Sequence, residues 1–169
     1  MRLIIAAALA AGLGLPALAQ EAAPNCPADA APLPAELSAW KTPAPLTAGA
    51  SPTAAAGLKI GQTAAATLQK TPEVTYALRP EKPGGSVSYG GVFAVDVAKA
   101  ATYTVALSTG AWIDVVRDGK SLSSVAHGRG PACTGVRKMV AFPLEPGRYL
   151  IQIAANGEPG LGIMVAERP

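Results

Sequence analysis

The sequence predicts an all-β protein: an antiparallel β-sandwich of jelly-roll-like type behind a Pro/Ala-rich N-terminal arm. Three observations carry this expectation. After Gly57, apolar residues recur at every second position through most of the chain, the period at which a strand returns its side chains to one face. Gly, Pro and Asp break these runs at intervals of about ten residues, the rhythm of a sandwich built from short strands. No stretch of useful length places apolar residues at helical spacing.

The first element is a leader. Met1-Arg2 is followed by an apolar run from Leu3 to Leu15 and by Ala17-Leu18-Ala19 before Gln20. One cation, a short apolar stretch and small residues around a cleavage point make residues 1–19 a secretory signal peptide, and the run is too short to span a bilayer. The mature chain is therefore expected to be periplasmic or secreted, with no membrane span. Without Arg2 it carries 13 Lys and Arg against 11 Asp and Glu. That near-neutral balance argues against a nucleic-acid partner, which calls for a clustered basic face.

Residues 20–57 form the arm and 58–169 the sandwich domain. Of the 35 residues 22–56, seven are Pro and thirteen are Ala. Such a segment lacks backbone donors and buries little, so it is expected to be mostly extended or irregular. Pro34-Ala35-Glu36-Leu37-Ser38-Ala39-Trp40 is the exception, a single helical turn with Pro at its start and Leu37 and Trp40 on one side. Cys26 and Cys133 are the only cysteines. In an exported chain they are expected to pair, tying the arm to the sandwich.

Nine strands are predicted, at 63–69, 73–79, 87–98, 102–108, 111–117, 120–126, 136–143, 147–154 and 160–166. Val74, Tyr76 and Leu78 alternate in the second, and Tyr103, Val105 and Leu107 in the fourth. Asp118-Gly119 suits the tip of a tight hairpin, where positive φ is needed. Pro146-Gly147 suits a type II turn reversing the chain between the strands on either side.

The segments Phe93-Ala-Val-Asp-Val-Ala, Ala101-Thr-Tyr-Thr-Val-Ala-Leu and Phe142-Pro-Leu-Glu-Pro-Gly-Arg-Tyr-Leu-Ile-Gln-Ile resemble the jelly-roll domains at the C-termini of secreted bacterial peptidases and related carbohydrate-binding modules. With Cys26-Pro, Trp40, the run from Arg79 to Gly91 and Gly135-Val-Arg-Lys-Met-Val, the chain also resembles a set of small exported alphaproteobacterial proteins. Some of that set carry the name homogentisate 1,2-dioxygenase. The name implies non-haem iron held by two histidines and a carboxylate. His127 is the sole histidine, so one chain cannot supply that triad, and no cofactor is expected.

Chemistry concentrates in residues 127–138. Between Arg117 and Arg148 six Lys and Arg stand against Asp118 and Glu145. A Gly-rich loop with His127, Arg129, Arg137 and Lys138, extended by Arg79, could hold an anionic group by charge-assisted hydrogen bonds. Lys82, Tyr89 and Trp112 would enlarge that surface towards a sugar. Other motifs carry less. Ser38-Ala-Trp-Lys41 lacks the companion elements of a Ser-x-x-Lys enzyme. The glycines at 12 and 14 lie in the leader and follow no strand. A Ser-His-Asp site from Ser121, Ser123 or Ser124 with His127 and Asp114 or Asp118 has no nucleophile elbow around it. Asp96, Asp114 and Asp118 match no calcium-loop spacing. The expected function is a non-catalytic binding or accessory module for an anionic or glycan ligand of the cell envelope. The alternatives are a dioxygenase-type enzyme and a structural subunit with a protein partner.

Overall fold

The computed structural model describes residues 26–27 and 31–169; the expected leader and its cleavage point lie outside them. A 3-10 helix spans Ala35–Lys41, and twelve strands follow: β1 (Ala44–Thr47), β2 (Ala56–Leu58), β3 (Thr63–Thr67), β4 (Gln69–Lys70), β5 (Tyr89–Val97), β6 (Ala101–Leu107), β7 (Trp112–Arg117), β8 (Lys120–Ser121), β9 (Ala126–Gly128), β10 (Lys138–Leu144), β11 (Gly147–Asn156) and β12 (Gly160–Glu167). They form two packed sheets, the β-sandwich expected. Sheet A has the order β1-β3-β12-β6-β10-β9; sheet B has the order β2-β5-β11-β7-β8, with β4 also on β5. Alternation puts Phe93, Val95, Val105, Leu107, Val115, Phe142, Ile151, Ile153, Ile163 and Val165 into one core between the sheets.

The arm is more structured than its composition suggests. β1 pairs in parallel with β3 at one edge of sheet A, and β2 in parallel with β5 at one edge of sheet B. Both sheets are thus mixed, where wholly antiparallel pairing was expected. An edge position tolerates Pro45, whose missing N–H would break a ladder inside a sheet. The helical turn forms as expected and packs on the outer face of sheet A, where Leu37 and Trp40 join Ala106, Val136, Met164 and Ala166 in a second apolar cluster. Thr63 ties it down by donating its hydroxyl to Ala39 O at 2.9 Å.

The strand expected at 73–79 does not form. Its backbone lies across the outer face of sheet B, where Thr75 N donates to Ala50 O at 2.8 Å and a side chain takes up the next residues. Gln152, fully buried in β11, accepts from the amides of Ala77 and Leu78 through Oε1 and donates from Nε2 to Leu78 O. Tyr76 donates its hydroxyl to Ile153 O at 3.0 Å. One buried carboxamide replaces a neighbouring strand, which a period of two cannot distinguish.

Turns divide in the same way. Asp118 and Gly119 have φ of 50° and 70°, and the hairpin between β7 and β8 forms as expected. Pro146-Gly147 does not make a hairpin, because β10 lies in sheet A and β11 in sheet B; the chain arches between layers. Gly147 has φ of 146°, and a Cβ there would stand 2.9 Å from the Arg117 guanidinium. Tyr149 closes the arch, donating to Glu145 O at 2.8 Å and accepting from Glu145 N at 3.0 Å. Tyr103 closes the crossover from β5 to β6 by donating to Lys99 O at 3.0 Å. These are tyrosine corners, in which a phenol secures a change of sheet.

The strand expected at 120–126 is also divided. β8 ends at Ser121 in sheet B, and β9 begins at Ala126 in sheet A. This early departure opens one side of the sandwich.

Candidate ligand-binding site

Past the end of β8, the outer side of β7 has no strand beside it among the described residues. Leu122 N donates to Val115 O, so Val115 turns its peptide groups towards the β8 side, and Ile113, two residues earlier, turns its own the same way. They face a slot of about 430 Å³ between β7 and β10, within the size range of small-molecule sites. Its walls include the apolar Leu122, Val140 and Phe142, and its polar lining includes Glu81, Asp114, His127 and Lys138 beside Trp112.

Each polar group arrives by a different route. Trp112 and Asp114 sit two apart on β7 and share its outward face, where the indole N–H donates to Asp114 Oδ1 at 3.0 Å. Glu81 and Lys82 come from the segment that Gln152 pins across sheet B. Lys138 starts β10 in the other sheet and reaches across, donating to Ala111 O at 2.7 Å. The Lys82 and Lys138 ammoniums lie 5.4 and 5.6 Å from the centre of the Trp112 ring, within cation–π range. His127 is paired with Val140, and opposed residues share a face, so its ring is carried to the slot side of β9.

The electrostatics are those of a half-dehydrated site. Asp114 Oδ2 is buried and has no hydrogen-bond partner among the described residues. Burial pushes the Asp114 carboxyl above its ordinary value; the Trp112 and Gln152 side chains oppose that rise, and the Glu81 charge adds to it. Burial, and then the Lys82 charge, lower the Lys138 ammonium. The neighbouring Tyr76 phenol is pushed up to about 12, mainly by burial and secondarily by the Asp114 charge.

The expected site residues divide. His127 and Lys138 line the slot. Arg129 and Arg137 instead flank the 129–137 loop, together lining a separate hollow beside Ser108 and Cys133. Arg79 is exposed and lines none of these hollows. Asp114 and Glu81 were not among the expected ligand contacts. Trp112 and Lys82 had figured only as an extension. Asp114, Ser121, Ser124 and His127 all reach the slot, yet no hydrogen bond joins any two of them, so the relay needed to activate a serine is not assembled. Asp96 is turned to Arg148 at 3.4 Å and Asp118 sits at the β7–β8 tip, so the three aspartates occupy three places. Among the described residues, no three His, Cys, Asp or Glu side chains gather to hold a metal ion.

Cys26 and Cys133 are joined, with Cα atoms 5.6 Å apart across 107 residues of sequence. Among the described residues no helix is long and apolar enough to cross a membrane.

No protein-family model and no curated protein matches this chain.

Proposed function

We propose that this chain is an exported, non-catalytic binding module that holds a saccharide of the cell envelope in the slot between β7 and β10. The observation that carries this reading is the slot itself, which brings the Trp112 indole, the Asp114 carboxyl and Lys138 to one opening beside the uncovered edge of β7. An aromatic ring beside a carboxyl and an ammonium offers both the apolar face and the polar partners that a sugar ring needs. The indole offers an apolar face to the C–H side of a pyranose, and Lys138, Lys82 and the Ile113 peptide supply further hydrogen bonds. Acids and bases in the slot are balanced, Glu81 and Asp114 against Lys82 and Lys138, which suits a ring rich in hydroxyls rather than a concentrated charge. The leader expected at 1–19 and the Cys26–Cys133 disulfide support an oxidising, extracytoplasmic setting.

The test is a glycan array probed with the mature protein and its Trp112→Ala variant. Retention of one glycan class that the variant loses, with an unchanged fold by circular dichroism, is the expected result. Equal retention by both proteins, or release of shortened sugars during incubation, overturns the reading.

A further inference from the structure

A second hollow meets the slot at His127. On the outer face of sheet A, beside Met139, the residues Ala126, Gly128 and Ala141 are small and leave a basin of about 180 Å³ floored by buried Thr104. Arg129 and Arg168 stand at its rim, and among the described residues no acid lines it. Arg168 is fixed just beyond β12, its backbone N–H donating to Thr102 O at 2.8 Å. The nearest acid in sequence, Glu167, is engaged by Lys99 at 2.7 Å. Neither arginine makes an ion pair among the described residues. His127 belongs to the walls of both hollows, so one ligand can pass around the β9 edge from slot to basin.

We infer that the ligand is an acidic glycan, its sugar ring in the slot and its carboxylate or phosphate substituent between Arg129 and Arg168. This rests on the saccharide reading of the slot and adds the charge that the slot does not select. Glu81 and Asp114 repel an anion placed beside Trp112. Two guanidiniums facing no acid attract one, with paired N–H donors that match an oxyanion. Arg168, outside the Gly/Arg loop, is thereby assigned as a specificity residue.

The test is an NMR titration of residues 20–169 with inorganic phosphate, a galacturonate trisaccharide and its fully methyl-esterified, neutral form, repeated on Arg129→Ala/Arg168→Ala. Both arginines are exposed, so the variant should fold as the parent does. The expected result has three parts. Phosphate shifts the amides of 127–130 and 168 saturably. Both sugars shift the Trp112 indole signal. The acidic trisaccharide binds at least about tenfold tighter than its neutral ester, a difference of roughly 1.4 kcal/mol, and the double variant loses that margin while still binding the neutral sugar. Equal affinity for the two sugars, or a margin that survives in the double variant, overturns the inference and leaves the slot reading standing. A Trp112 signal unmoved by either sugar overturns the slot reading, and the two-part site with it, even if phosphate still binds.

Discussion

Asp114 is held at a cost. Its unpaired oxygen and raised pKa mean that the fold favours the neutral carboxyl, so folding is penalised once the group ionises. The sign follows from linkage: with the folded value above the unfolded one, the penalty is absent below the ordinary carboxylate range, near pH 4, and grows as pH rises through the folded value. Asp114→Asn should therefore stabilise the protein at pH 7, by up to about 1 kcal/mol, because it removes the charge that partial burial disfavours. That gain should shrink as pH falls towards 4. Urea titrations at several pH values check this; a variant less stable than the parent at pH 7 would contradict it. Little of this was legible in the sequence. Asp114 stood out only as one of three aspartates and as an acid for a serine relay, and Trp112 only as an extension of the basic surface. Lys138 meets them from the other sheet, and spacing along a chain carries no information about a contact between layers.

Among the elements, the 3-10 helix and the disulfide act together. Leu37, fully buried, and Trp40 seat the arm on sheet A, while Cys26 fastens it to the loop that carries Arg129 and Arg137. Leu37→Ala should cost about 2–5 kcal/mol, the range for a buried leucine that leaves a cavity, read as a lower denaturant midpoint. Cys26→Ser/Cys133→Ser should lower stability by roughly 2–5 kcal/mol through release of a long loop, and reduction of the parent should reproduce the effect in a thermal melt. A reduced protein that melts with the oxidised one would show that the helix alone holds the arm. This pairing and this turn were readable because Cys count, Pro34 and the Leu37–Trp40 spacing are local signals. The strand expected at 73–79 was misread because Gln152 satisfies its backbone from the side. The reversal expected at Pro146 became an arch because Tyr149 pins the chain where it changes sheets.

At the scale of the whole molecule, alternation specified the layers but not which strands are neighbours. Consecutive strands from β5 to β7 and from β10 to β12 alternate between sheets, and every such crossing brings together residues distant in sequence. The slot exists because β8 and β9 part company, leaving β7 uncovered at Ile113 while Lys138 closes the end. The basin exists because small residues on β9 and β10 face outward under two arginines. One chain thus presents a balanced slot and a basic basin around a single edge strand, an arrangement suited to holding an extended ligand. The most direct measurement is the change in tryptophan fluorescence on titrating galacturonate oligosaccharides into residues 20–169, since Trp40 is packed between the arm and sheet A and Trp112 opens to the slot. A saturable change that vanishes in Trp112→Phe is the predicted result; the same titration curve from both proteins, or none from the parent, would contradict the account.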